Sequence, residues 1–303
     1  MALLTRKIKR QIQSIKNTKK ITKAMELVSA SKMRKAVNAV LASRPYSQLA
    51  WQIVLNLAAR TQRHIHPLLH QRQKVKSIGI LLLSSNRGLC GVFNQQIARE
   101  AINFVQTQIA HDKEVNIEFI TLGKKAGATV AKAGLKIAAD FEKPDVVTDV
   151  SQIKAISAII INDYLTRKYD KVILFFTDFI SSLRQKPNYK QLLPLSHKES
   201  GLGLIGEEQA SQVVNWDYEY LFEPSRDYIL ENFLPKLIEL QIYQAILESN
   251  ASEHSARMMA MRNASDAAVD LVADLTLTFN KARQADITQE ISEISVSKAA
   301  LES

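Results

Sequence analysis

The chain has 303 residues, 46% of them apolar and 23% charged, a composition that can bury a core and that excludes a disordered protein. Its single cysteine, Cys90, excludes an intramolecular disulfide, and no 18-residue apolar run or leader-like segment at Met1 marks a membrane-spanning or secreted chain. The net charge of +10 is local: residues 1–36 hold eleven Lys/Arg against one acid, Glu26, and the rest of the chain balances, so the expected partner of the head is acidic.

All nine glycines lie between Gly79 and Gly206, and residues 1–44 and 236–303 contain no proline. Both ends therefore lack the usual helix stops and are expected to form long helices, the tail alone reaching roughly 100 Å. In the head, Ile8, Ile12 and Ile15 recur at helical spacing, and the stripe resumes at Ile21, Met25 and Val28 after a slip. Pro45 is expected to kink or end this helix, with Trp51, Val54, Leu55 and Ala58 continuing a helical pattern beyond it. Residues 78–83, 115–122 and 172–177 read as buried strands, separated by helical stretches near 94–110, 123–134 and 151–167. This alternation predicts a small parallel or mixed sheet in an α/β domain.

Pro224 and Pro235 are expected to punctuate the chain before the tail helix. From Leu240 to Asp286, ten of fourteen positions at 4-3 spacing are apolar: Leu240, Leu247, Ala251, Met258, Met261, Ala268, Val272, Leu275, Phe279 and Ala282. That is a coiled-coil pattern, with alanines that suggest close helix approach and with Gln244, His254, Ser265 and Asp286 as polar interruptions. The expected organisation is a helix and connector over 1–74, an α/β domain over 75–205, and a C-terminal region over 206–303 that holds the long helix.

The sequence offers few candidates for chemistry. GLGLIG at 201–206 matches a dinucleotide fingerprint in letters, but it follows LSHKES rather than a strand, and Glu207 and Glu208 would repel a pyrophosphate. SSNRGLCG at 84–91 follows the first strand; it lacks the lysine and hydroxyl of a phosphate loop, and it reads as a turn that projects Arg87 toward a partner. Cys90 has no catalytic companion nearby and reads as a half-buried structural thiol. His64, His66 and His70 read as part of a solvated connector rather than a zinc site. No residue is assigned to catalysis, metal or cofactor binding. The basic head also admits a nucleic-acid-binding coiled coil as an alternative, though residues 1–45 carry no aromatic side chains for stacking.

Four strings go further. KNTKKITKAMELVSASKMRKA at 16–36, SSNRGLCG at 84–91, ESNASEHSARMMAMRNASD at 248–266 and LTFNKARQADITQEISEI at 277–294 resemble the gamma subunit of F-type ATP synthases, and HPLL, QLLPL and WDYEYLFEP follow in the same order. The resemblance implies an antiparallel coiled coil of the N- and C-terminal helices with a central Rossmann-like α/β domain. It implies a rotor that couples turning of a c-ring to the nucleotide states of beta subunits, without bond chemistry of its own. The implied partners are alpha, beta and epsilon subunits and the c-ring, with no nucleic acid and with membrane contact only through the complex, at the cytoplasmic face of a bacterial plasma membrane. Carried over by position, Arg283, Gln284 and Arg87 would contact beta, with Thr288 and Glu290 in the same tail motif. Met25 would face an acidic lever of beta, and Tyr220, Phe222 and Glu223 the polar loops of the c-ring. Asn86 stands where the family commonly has Asp, Val92 where it commonly has Gly and Phe222 where tyrosine is common. The cysteine insertion of chloroplast relatives is missing, which implies a bacterial-type subunit without thiol control.

Overall fold

The computed structural model describes residues 2–59, 66–72, 74–112, 114–145, 150–195 and 225–302. In chain order these form α1 (Ala2–Ala59), β1 (Ser77–Leu83), α2 (Phe93–His111), β2 (Asn116–Leu122), α3 (Lys124–Lys132), β3 (Lys136–Phe141), α4 (Lys154–Leu165), β4 (Lys171–Phe179), β5 (Gln185–Leu193) and α5 (Arg226–Glu302), with short 3-10 turns at Pro67–Leu69 and Val150–Ile153. They divide into two compact units, residues 1–29 with 258–303, and residues 30–257.

The first unit is an antiparallel helix pair, with the Thr5 hydroxyl near the start of α1 donating to the Asp286 carboxylate on α5 at 3.2 Å. On α5 the residues drawn away from solvent are Met261, Ser265, Ala268, Val272, Leu275, Phe279, Ala282 and Asp286, and every other residue between 262 and 297 is exposed. This is the 4-3 period expected for the tail, and it is the period of a left-handed pair. The head differs from expectation. Counting on from Thr5, Ile8, Ile12 and Ile15, the seam passes through Thr22, Glu26 and Ser29, while Ile21 and Val28 are 61% and 56% exposed. Seven-residue spacing keeps the α1 stripe in step with α5, and small hydroxyl side chains in the seam let the helices approach closely. The register is therefore set by position, and two large apolar residues of the head face outward.

The second unit is a five-stranded sheet of order β3-β2-β1-β4-β5, parallel except for the antiparallel β4–β5 pair. Successive residues of a strand face opposite sides. Thus Ile78, Ile80, Leu82, Ile173 and Phe175 pack under α2 and α3, with Ile97, Ala101, Ala126 and Val130. On the other side Leu81, Leu83, Leu174 and Phe176 meet α4, part of α1 and α5, through Ile156, Ile160, Val40, Leu234, Ile238 and Ile242. Cover on both faces explains why β1 and β4 read as unbroken apolar runs.

Strands β3 and β5 were not expected. Both are edges: β3 alternates between exposed and half-buried residues, and β5 carries Lys186, Pro187 and Lys190, so neither shows an apolar run. Nor do the prolines end their helices, since Pro45 lies inside α1 and Pro235 inside α5, which begins at Arg226. Around Pro235 the buried Leu230, Leu234, Leu237 and Ile238 contribute roughly 1.5–3 kcal/mol each, against a cost of about 3 kcal/mol for one helical proline. Packing wins. Among the described residues no helix is long and apolar enough to cross a membrane.

One glycine is fixed by the crossing of β2 into α3. Gly123 has φ +109°, and a Cβ there would lie 2.4 Å from the Ser84 carbonyl oxygen. Both the conformation and the space forbid a side chain. Gly123→Ala is expected to lower stability by about 3 kcal/mol or more, read as a shift in the urea unfolding midpoint of the chain.

Candidate partner-contact site

In the first unit, Arg283, Gln284, Thr288 and Glu290 lie on α5 with all four side chains exposed. Helical spacing sorts them into two stripes. Arg283 and Glu290 flank the seam together with Ile287 and Ile294. Gln284 and Thr288 lie on the face opposite the seam, with Leu277 and Ile291. Those four apolar residues are 48–65% exposed, so each stripe mixes polar groups with uncovered hydrocarbon. Met25 is half-buried at the flank of the α1 seam, and the neighbouring Lys23 pairs with Glu26 at 2.9 Å. The Thr5–Asp286 contact sets the antiparallel register, which puts Met25 across from the region of Asp266, about 25 Å along the helix from Arg283. The carried-over positions thus form two separate patches in this unit.

In the second unit, Arg87 is exposed at the tip of the turn that follows β1. Beneath it the turn is closely bonded. The Ser85 hydroxyl donates to the Arg87 carbonyl at 2.6 Å, Asn94 Oδ1 accepts from the Ser85 amide, and the Asn94 amide nitrogen donates to Ser85 Oγ and Cys90 Sγ. Cys90 is fully buried, a structural thiol and not a half-exposed one. The Asn86 amide donates to the Lys143 carbonyl at 2.6 Å and accepts from the Lys143 N–H at 3.1 Å. A carboxylate could make only the second of these bonds, which gives the Asn at this position a physical role.

The side chains that hold this region were not singled out from sequence. Lys143, buried, pairs with Glu253 of α5 at 2.5 Å, and Arg257 pairs with the other oxygen of Glu253 at 2.8 Å. Burial opposes ionisation of Glu253, but the Lys143 and Arg257 charges outweigh it and hold the carboxyl below its ordinary range. Asp145, bonded to Lys32 of α1 at 2.9 Å, is likewise held low by that hydrogen bond, with Arg87 adding to the effect. The cluster joins segments far apart in sequence; its one local sign is the i, i+4 pair Glu253 and Arg257 within a run of polar residues on the tail helix.

In open α/β sheets the ligand crevice lies beyond the carboxyl ends of the strands where the strand order reverses. Here that place, between β1 and β4, is taken by α5. Ser252 Oγ donates to the Thr177 carbonyl at 3.1 Å, opposite Pro187, which has no N–H to give. Ser255 Oγ donates to the Ser182 carbonyl at 2.7 Å, and Arg257 donates to the carbonyls of Arg87 and Gly88 at 3.3 Å. The chain fills this crevice with its own helix.

Of the histidines, His66 Nδ1 accepts from the Leu68 amide and caps the first 3-10 turn, half-buried rather than solvated; His64 lies outside the described residues. Among the described residues no three metal-ligating side chains converge. Tyr220, Phe222, Glu223 and the GLGLIG segment also lie outside the described residues.

Fold and site together define a protein of two parts, an antiparallel helix pair and an open α/β sheet whose ligand crevice is filled by its own helix, with exposed charged residues on each. A family model for ATP synthase matches residues 4–301. The ATP synthase gamma chain of Chloroflexus aurantiacus (strain ATCC 29366 / DSM 635 / J-10-fl) is 42% identical over 301 residues, covering 99% of each chain. That of Stenotrophomonas maltophilia (strain R551-3) is 38% identical over 289 residues, covering 95% of this chain and 96% of the relative. A chain in the cryo-EM structure of the Euglena gracilis mitochondrial ATP synthase (OSCP/F1/c-ring, rotational state 3) shares the fold with a TM-score of 0.66 at 18% identity, covering 99% of this chain and 95% of that one. A chain in the Tetrahymena thermophila central stalk and c-ring structure gives 0.59 at 22% identity, covering 81% of this chain and 99% of that one. The chain belongs to the ATP synthase gamma chain family. With that, a nucleic-acid-binding coiled coil has no support.

His254 generates a pH dependence. Its Nε2–H donates to the Asp145 carbonyl at 3.2 Å, and Nδ1 accepts from Arg257 at 3.3 Å, so the neutral ring is satisfied at both ends. A second proton would put N–H against a guanidinium. Burial, with the Arg257 and Lys143 charges assisting and Glu253 opposing, holds its pKa below the ordinary histidine value. A depressed folded-state pKa contributes stability that is present above about pH 6.5 and lost as pH falls through the folded value. His66, depressed by burial, adds in the same direction, while the carboxylates titrate lower. The unfolding midpoint is therefore expected to fall between pH 7 and 5. His254→Gln, with one donor, one acceptor and no titration, is expected to lessen that fall, as measured by urea titrations at several pH values.

Proposed function

We propose that the chain is the central-stalk rotor subunit of an F-type ATP synthase, coupling ion-driven rotation of a c-ring to the nucleotide states of the catalytic beta subunits. In this reading it carries out no bond chemistry, and it works within the complex at the cytoplasmic face of a bacterial plasma membrane. Its partners are alpha, beta and epsilon subunits and the c-ring, and it meets the membrane only through them.

The observation that carries the reading is the surface of the first unit. Between Met261 and Asp286, α5 draws only one residue in three or four away from solvent and from 287 to 297 none, and it leaves Leu277, Ile287, Ile291, Ile294 and Val296 48–69% exposed. Uncovered hydrocarbon at that density, interleaved with Arg283, Gln284, Thr288 and Glu290, fits a helix pair that works inside a surrounding assembly. Rotation moves this surface past each beta subunit in turn. A contact favouring one beta conformation at one rotor angle then shifts that subunit's equilibrium by its differential binding energy and no more.

In this proposal Arg283, Gln284 and Arg87 contact beta, Thr288 and Glu290 extend the tail patch, and Met25 with its lysine neighbours meets an acidic surface of beta. Tyr220, Phe222 and Glu223 serve the c-ring. The basic head, where exposed lysines outnumber acids, supplies long-range attraction to such a partner.

The test is co-expression with alpha and beta subunits. The chain is expected to copurify with them as an active ATPase, and failure to do so would make the rotor reading wrong. Arg283→Ala with Gln284→Ala is expected to lower ATP hydrolysis by the complex about tenfold, the effect of losing one or two charged hydrogen bonds. The helicity of the free chain, followed by circular dichroism, is expected to stay unchanged; an equal loss of helicity would make these residues packing elements instead.

A further inference from the structure

Arg87 stands on a turn that is held from within by the Ser85 hydroxyl and Asn94 and from without by α5. Leu89, two residues on, has φ +61°, a left-handed conformation unfavourable for leucine, and its side chain is 63% exposed. Packing of the Leu89 side chain does not fix that conformation; the bonds of Ser85 to Arg87 and of Asn94 to Cys90 restrain the turn on either side of it, and α5 adds a restraint from outside. Arg257 reaches the turn through a fork: Nε donates to the Gly88 carbonyl at 3.3 Å, and Nη2 lies 3.3 Å from the Arg87 carbonyl and 3.4 Å from that of Gly88. The third nitrogen, Nη1, is held between Glu253 Oε1 and His254 Nδ1. Every nitrogen of the guanidinium is therefore in use, and the group is itself held on the helix side. Lys143 completes the frame, since its ammonium pairs with Glu253 while its backbone grips Asn86.

The backbone of Asn86, Arg87 and Gly88 is thus bonded on two sides, while the Arg87 side chain makes no hydrogen bond among the described residues. Asp145, whose carboxyl the Arg87 charge helps to hold low, is already bonded to Lys32, and Glu142 and Lys143 line the same cleft.

We infer that Arg257 is a positioning residue for the Arg87 contact: by binding the carbonyls of Arg87 and Gly88 it fixes the direction in which the Arg87 guanidinium meets an acidic or carbonyl group of the partner. This rests on the reading of Arg87 as a partner contact. A planar fork suits the task and an ammonium does not, because only the fork addresses two carbonyls and the Glu253 carboxylate together.

The experiment uses the full chain assembled with alpha and beta subunits, in four variants: Arg87→Ala, Arg257→Gln, Arg257→Lys, and Arg87→Ala with Arg257→Gln. ATP hydrolysis is expected to fall about tenfold in each single variant, and the double variant is expected to be no worse than either, since both remove one contact. Arg257→Lys keeps a cation beside Glu253 and is expected to be as impaired as Arg257→Gln. In the free chain, amide exchange across residues 84–91 is expected to quicken at least tenfold in both Arg257 variants while the global unfolding midpoint of Arg257→Lys stays close to the parent's. Losses that multiply in the double variant, full activity of Arg257→Lys, or unchanged exchange would each overturn the positioning role and leave the Arg87 contact standing. Undiminished activity of Arg87→Ala would overturn both. If Arg257→Gln does not fold, Arg257→Lys with its exchange profile decides the matter.

Discussion

A carboxylate taken out of water must keep cations beside it, and in this chain Glu253 has two, Lys143 and Arg257, both buried with it. Removing Glu253 would leave two buried cations without a counter-charge, at a cost of about 3–5 kcal/mol, comparable to a third or more of a typical domain's stability. The consequences run outward from that demand. Lys143 has to be held at Glu253, so the segment around it lies along α5 and its backbone takes up the Asn86 amide. Arg257 has to be held there too, and its remaining nitrogens fall on the turn after β1. His254, next to Glu253 in sequence, is confined to one neutral tautomer by the Asp145 carbonyl on one side and Arg257 on the other.

Helix α5 obeys two burial rules. Within the second unit nearly every residue from Leu240 to Ser255 is buried, and among the polar ones Asn250, Ser252, His254 and Ser255 are tied to strand ends and loops by hydrogen bonds. Within the first unit only the residues at 4-3 spacing are drawn away from solvent. Hydrophobic periodicity is a statement about how many neighbours a helix has: a helix surrounded on most sides needs no period, and a helix with one neighbour shows a narrow one.

That difference decides what was legible in the sequence. The 4-3 count from Leu240 was right where α5 has a single partner helix and carried little meaning before Met258, where the helix is enclosed. In the head the largest apolar residues, Ile21 and Val28, drew the stripe to the wrong face, because the seam runs through Thr22 and Ser29 and hydropathy does not register small hydroxyl residues as contacts. The central strands β1, β2 and β4 announced themselves by apolar runs. The edge strands β3 and β5 did not, since a strand with one neighbour and one solvated side keeps polar residues. Of the candidate site, Arg87 and the tail residues could be carried over from matched strings, whereas the buried cluster could not be read at all: its members sit at positions 32, 143, 145, 253, 254 and 257, and only the fold brings them together.

The two edge strands have a consequence of their own. An open sheet offers rows of unpaired amides and carbonyls on which another chain can add a strand, a route to fibrils and tangled dimers. On β5 the edge carries Lys186, Pro187 and Lys190, so a docking strand would meet positive charge and a missing donor. On β3 the pairing with β2 is interrupted by a bulge between Phe119 and Ile120, and Lys136 and Asp140 leave charge along a strand only six residues long. Edges guarded in this way keep one copy of the folded sheet from templating another.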